Sequence, residues 1–152
     1  MGGNILGQSD FRAGKAVLTL PKSRSGLPFG ASMNTKRFKA SLIDIGLMQR
    51  LAHVPVDAEL RHDDLLAIYR GKLAEQFAAQ ELLAMQNREL YYWEREDGGR
   101  PMEVDYLIHC DGRARPIEVK SGTSGSLRRL NTLLATHPQC PQGAALYSGP
   151  YG

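Results

Sequence analysis

"EVDYLIHCDGRARPIEVK", residues 103–120, decides the fold. Two alternating segments flank Asp111-Gly112. Val104, Tyr106 and Ile108 alternate with Glu103, Asp105, Leu107 and His109; Ile117 and Val119 alternate with Pro116, Glu118 and Lys120. Period-two alternation marks half-buried strands. Asp-Gly suits a type I′ turn, which needs positive φ at both central residues. With those two residues as the loop, Tyr106 is expected opposite Ile117 and Val104 opposite Val119, both apolar sets on one face. The same register sets Asp105 against Glu118 and Glu103 against Lys120. A one-residue slip would lose that agreement. Like charges directly opposed are destabilising, with Cβ atoms about 4.5–5.5 Å apart. Such a pair calls for a cation. Lys120 is near, but a hard divalent ion answers better, since Mg²⁺ is typically held by one or two carboxylates with waters and phosphate oxygens.

Outward from the hairpin, "RELYYWERE" (88–96) reads as a strand closed by the "DGGRP" turn. Before it, Leu66, Tyr69, Leu73, Phe77, Ala78, Leu82 and Met85 repeat at helical spacing. They predict a long helix over about 65–86. Glu75 lies at the margin of this stripe; Glu81 falls inside it and asks for a partner. After the hairpin, residues 121–138 hold a loop and a helix that stops before Pro138, and "GAALYS" (143–148) is a last strand. Upstream, "KAVLTLPKS" (15–23) reads as a strand and residues 23–32 as a Gly/Pro/Ser-rich loop. Residues 36–53 read as a strand to about Asp44, then a helix to about Leu51. Residues 54–64 form a connector in which Asp63 or Asp64 caps the next helix. The division expected is a tail at 1–14, an N-terminal extension at 15–60 packing on the core, and a core at 61–152. From residue 65 onward the order is helix, three-strand meander, helix, strand, an α/β layer with a mixed sheet.

The chain has 152 residues, 42% hydrophobic and 23% charged, enough for one domain with its own core. Its net charge of +3 is compatible with a nucleic-acid partner without specifying one. No apolar run approaches the roughly 18 residues of a membrane span, and the N-terminus is not a secretory signal. Cys110 and Cys140 form no CxxC and no disulfide ladder, so a reducing, cytoplasmic setting is the expectation. No GxxxxGK[ST] occurs in the chain.

The element order and residues resemble the PD-(D/E)XK nuclease superfamily, whose core is α-β-β-β-α-β. Asp105 matches the motif aspartate on the second core strand, and Glu118-Val119-Lys120 the (D/E)-x-K on the third. "GKLAEQFAAQEL" (71–82) is similar to the first-helix motif of one branch, with Glu75 four residues after Gly71. A nearer resemblance rests on "SGLPFGASMNTKRFKASLIDIGLMQRLA", "GKLAEQFAAQELL", "LYYWERE", "EVDYLI" and "PIEVKSG". Together they resemble the C-terminal domain, catalogued as one of unknown function, of bacterial and archaeal AAA-type ATPases. E-x-K alone is nearly uninformative; hairpin, turn, helix glutamate and element order are informative jointly.

The resemblance implies a restriction-endonuclease-like fold and a Mg²⁺- or Mn²⁺-dependent nuclease acting on DNA, partnered by the ATPase part of a longer protein. It implies metal ligation by Asp105, Glu118, the Val119 carbonyl and Glu75, with Lys120 orienting water or offsetting phosphate charge. Phosphate contact is expected from Arg128 and Arg129, at the start of the helix after the hairpin. The alternative is a catalytically inactive module of the same fold that binds nucleic acid or a protein partner for an ATPase. Simpler roles stand beside these. Glu118 and Lys120 also suit a solvated strand face, Glu75 a surface pair with Lys72, and Glu103 a pair with Lys120 across the hairpin. The basic group Lys36, Arg37 and Lys39 suits either solvent or phosphates. The histidines lack metal-ligand spacing, and Tyr91, Tyr92, Trp93 and the methionines Met33, Met48, Met85 and Met102 suit packing.

Overall fold

The structure, a computed structural model, describes residues 17–23, 29, 33–42, 44–53, 67–86, 89–97, 100–121 and 126–147. The tail at 1–14, the connector at 54–64 with its cap, and most of the loop at 23–32 lie outside these residues. The chain runs β1 (Val17–Lys22), β2 (Asn34–Leu42), α1 (Ile45–Leu51), α2 (Ala67–Met85), β3 (Tyr91–Asp97), β4 (Arg100–Cys110), β5 (Arg113–Lys120), α3 (Arg128–Thr136) and β6 (Ala144–Tyr147). From α2 onward this is the expected α-β-β-β-α-β core. Strands β3, β4, β5 and β6 form a mixed sheet, antiparallel until β6 joins parallel to β5. The β1–β2 hairpin adds at the β3 edge, giving the order β2-β1-β3-β4-β5-β6.

The central turn forms as its chemistry requires. Asp111 has φ 52° and Gly112 φ 72°, the paired positive values of a I′ turn. The β4–β5 ladder follows the expected register from Cys110–Arg113 to Tyr106–Ile117 and pairs no residue beyond it.

There β4 bulges. Between the pairs Tyr91–Leu107 and Trp93–Val104, β4 advances three residues while β3 advances two. An extra residue bends a strand and re-aims its side chains. Val104 therefore shares a core cluster with Leu107, Ala114, Leu130 and Leu133, on the α3 face. Tyr106, Ile108 and Ile117 pack with Ala78, Ala79, Leu82 and Leu83 on the α2 face. The expectation that Val104 and Tyr106 share one face is thus corrected. So is the direct opposition of Asp105 and Glu118, since the ladder ends one pair short of them.

Helix α2 lies close on the sheet. Its buried positions are Gln76, Ala78, Ala79, Leu82 and Leu83. Phe77 and Met85, expected inside, are 55% and 72% exposed. Two alanines permit the close approach that larger side chains would prevent. Glu81 faces solvent, so it needs no partner. Helix α3 buries Leu130 and Leu133, and Gly143 makes room for it. A Cβ there would sit 2.7 Å from Leu130 Cδ1 and 3.2 Å from the Pro116 carbonyl oxygen. Tyr91, Tyr92 and Trp93 are core, as expected.

Two sets of hydrogen bonds help fasten the N-terminal hairpin to the core. Lys22 pairs with Tyr92, and Ser23 N donates to the Tyr92 carbonyl at 3.0 Å. Gln76 of α2, a buried side chain, completes the end of β2. Its Oε1 accepts from Leu42 N at 2.9 Å and Ser41 Oγ at 3.1 Å, and its Nε2 donates to the Leu42 carbonyl. A buried amide with both ends satisfied holds one geometry.

Candidate functional site

Asp105 sits at the bulge, and its carboxylate does what a backbone carbonyl does elsewhere in the ladder. Oδ2 accepts from Val119 N at 2.8 Å. This charge-assisted bond ties β4 to the Glu118-Val119-Lys120 segment after regular pairing has stopped. Oδ1 pairs with Lys39 Nζ at 3.3 Å.

Lys39 is the centre of the site. Its ammonium also lies 2.8 Å from Glu103 Oε1 and 3.4 Å from Glu75 Oε2, and 5.1 Å from the centroid of the Tyr106 ring. Three carboxylates from α2 and β4 thus converge on one ammonium from β2. In a flat sheet of this order, β2 and β4 are three strand spacings apart, about 14 Å, a gap that lysine and carboxylate side chains close only when extended toward each other. The β1–β2 hairpin meets α2 on the same side, through Ser41 and Leu42 against Gln76 and Lys39 against Glu75. Among the described residues, the hairpin pairs with β3 only at Lys22–Tyr92. Glu75 is further held by Lys72 at 3.0 Å, and its carbonyl accepts from Tyr106 Oη at 2.7 Å. A cleft of about 440 Å³ opens here, with Lys39, Lys72, Glu75, Glu103 and Tyr106 in its wall and Phe38 beside them.

Glu118 belongs to a second group. It is 0% exposed. Oε1 accepts from Lys120 Nζ at 2.6 Å and lies 4.0 Å from Arg129 Nη1. Oε2 is buried without a hydrogen-bond partner. Leaving a buried polar atom unpaired typically costs about 1–3 kcal/mol, more for a charged group.

These environments shift the titrating groups. Burial raises the Asp105 pKa; Lys39 and the Val119 N–H oppose the rise, and Glu75 adds to it. Burial raises Glu118 as well; its bond with Lys120 opposes, and the charge of Asp105 adds. Burial alone would lower Lys39, yet Tyr106, Asp105 and Glu103 outweigh it, and its pKa stands above the ordinary lysine value. Tyr106 is raised, first by burial.

The structure therefore brings Asp105, Glu75 and the Val119 amide together, and Glu118, Lys120 and Arg129 together, with the Asp105–Val119 bond joining the two sets. Arg128 is exposed at the start of α3, its N–H bonded to Ser126 Oγ at 3.3 Å. The pairing of Glu75 with Lys72 is present. Glu103 pairs with Lys39 and Lys120 with Glu118, so the expected Glu103–Lys120 pair is corrected. Lys39, expected only as one of a surface trio, is the residue sequence reasoning missed. Strand alternation sets it on the face of buried Ser41, the only local hint.

The residues fit a hard divalent cation in kind. The donors are carboxylate oxygens, and Glu118 Oε2 is a buried acceptor in want of a positive partner. In arrangement, an ammonium stands among Asp105, Glu75 and Glu103. No group of three or more His, Cys, Asp or Glu is set to hold a metal ion among the described residues. No described helix is long and apolar enough to cross a membrane.

No curated protein and no solved structure is found to match the chain. Residues 70–150, more than half of the chain and spanning α2 nearly from its start through β6, match the family model described as "Domain of unknown function (DUF4143)", and the chain belongs to that family.

Proposed function

We propose that this domain is a nuclease-like module of the PD-(D/E)XK type that hydrolyses phosphodiester bonds in DNA with Mg²⁺ or Mn²⁺, and that it works as the C-terminal part of an AAA-type ATPase. The observation that carries this reading is Glu118. A carboxylate with no exposure, one oxygen unpaired and a lysine at 2.6 Å is a poor structural choice, since a buried charge needs full pairing. It is a sensible choice for a group awaiting a cation.

Asp105, Glu118, Glu75 and the Val119 carbonyl would hold the ion. Bound there, it would supply Lewis acidity toward a phosphoryl oxygen and lower the pKa of an attacking water. The chain's own groups do the rest. Lys120 sets the Glu118 carboxylate and places a positive charge where phosphate charge builds. Arg129 lies beside the same carboxylate on the exposed start of α3, suited to a phosphate oxygen. Asp105 fixes the position of Val119 through its amide. This is charge stabilisation by preplaced groups rather than covalent catalysis.

A second reading has its own observation. With Lys39 paired to three carboxylates, the fold also suits a module that binds DNA or an ATPase partner without cutting. Incubation of the protein with plasmid and single-stranded DNA in Mn²⁺ separates the two. Cleavage by wild type that Lys120→Ala abolishes supports the nuclease. Equal traces from both proteins mean contamination and sink it. Salt-dependent binding without cleavage favours the second reading.

A further inference from the structure

We infer that the ammonium of Lys39 is the resident cation of the carboxylate site, and that a divalent ion enters by displacing it. The inference rests on the metal-binding reading above and adds a residue from outside the motif.

Lys39 Nζ has three donors and three carboxylate neighbours, Glu103 at 2.8 Å, Asp105 at 3.3 Å and Glu75 at 3.4 Å. Two of these, Asp105 and Glu75, are the carboxylates assigned to the ion. An ammonium and a divalent ion cannot share the same oxygens at these separations. Their repulsion in a site where Lys39 is only 18% exposed is large against thermal energy. One must leave when the other arrives. The ammonium has somewhere to go, because Lys39 borders the 440 Å³ cleft. It comes from an edge strand rather than from the α2–β4–β5 frame that carries the ligands. Displaced into the cleft, it joins Lys72 on the wall, where two positive groups face an incoming phosphate. Without metal, Lys39 keeps three carboxylates from repelling one another and fastens the N-terminal hairpin across the core. The same lysine thus makes the empty site stable and makes metal entry a competition.

Mn²⁺ affinity, read from the electron paramagnetic resonance signal of the free ion, tests this on the full chain. Lys39→Met keeps the side-chain length and removes the charge. It should bind Mn²⁺ about tenfold or more tightly than wild type, and Lys39→Arg should not. A second measurement uses wild type alone. Acetylation of Lys39 by a limiting amine reagent, followed by mass spectrometry, should rise severalfold when Mn²⁺ is added, and decides the matter if Lys39→Met does not fold. Equal affinities with unchanged labelling would overturn the inference and leave the metal site standing. Weaker binding by Lys39→Met would overturn it by making the lysine a support of the site. If neither protein binds Mn²⁺, the metal reading itself fails and this inference falls with it.

Discussion

Replacing Asp105 separates its two duties. Its Oδ2 accepts from Val119 N at 2.8 Å and its Oδ1 pairs with Lys39 at 3.3 Å. Alanine removes both and leaves the Val119 N–H without its acceptor beneath α2. A hydrogen bond to a charged acceptor is worth about 1.5–3 kcal/mol. Lys39 keeps Glu103 and Glu75, so the lost ion pair adds little. Asp105→Ala should therefore cost about 2–3 kcal/mol in metal-free protein. Asparagine keeps an oxygen for Val119 and removes a buried charge. The raised pKa of Asp105, due first to burial, means that the folded state favours the neutral form. Asp105→Asn should then be as stable as wild type or more stable. Urea unfolding in EDTA, with slopes checked for constancy, measures both. A gap of about 2 kcal/mol between the variants corresponds to roughly 4–8 °C in Tm for a chain of this size. Alanine and asparagine within about 0.5 kcal/mol of each other would refute the bridging role of the carboxylate. An asparagine variant clearly less stable than wild type would refute the claim that the ionised group is held at a cost.

Further outcomes follow from the same geometry. Glu118 has its pKa raised, so the folded state binds its proton more tightly than the unfolded state does. The stability it contributes is present below the ordinary glutamate value of about 4.5 and is lost as pH rises through the folded value. Glu118→Gln should flatten that fall in urea titrations in EDTA run upward from about pH 4.5, the ordinary glutamate value; an identical slope in both proteins counts against it. Gly143→Ala should destabilise by about 1–3 kcal/mol through overpacking, because the added Cβ meets Leu130 at 2.7 Å and the Pro116 backbone at 3.2 Å; an unchanged melting temperature would mean that α3 yields freely. Replacing Arg128 and Arg129 together by alanine should weaken DNA binding regardless of sequence and flatten the salt slope by about one or two units. A slope equal to wild type would move the phosphate contacts away from α3.

The hairpin at 103–120 was legible because its signals are local. Asp-Gly turn chemistry and alternation over a few residues determine the pairing from Cys110–Arg113 to Tyr106–Ile117. The bulge was not. Val104 and Leu107, three apart, share a face only if the strand carries an extra residue, and no glycine marks it. The stripe at helical spacing in α2 holds for Ala78 and Leu82 and fails for Phe77 and Met85, because close approach to the sheet admits Ala78 and Ala79 and turns Phe77 outward. Glu75, Asp105, Glu118 and Lys120 were legible as a set through the resemblance and the hairpin register. Their split into two groups was not, because it depends on Lys39. That lysine lies 66 positions before Asp105 and meets it across two intervening strands of the sheet. Nothing in a local pattern reports a contact made that way.

A metal site at these carboxylates requires Asp105 and Glu118 to receive the same ion. The Val119 amide reports on both, being bonded to Asp105 at 2.8 Å and next to Glu118 in the chain. A Mg²⁺ titration followed by ¹H–¹⁵N NMR should move the Val119 amide along a saturable curve, and Asp105→Asn or Glu118→Gln should each abolish the saturation. A Val119 amide that does not move, or that moves equally in wild type and both variants, would contradict a metal site at these carboxylates.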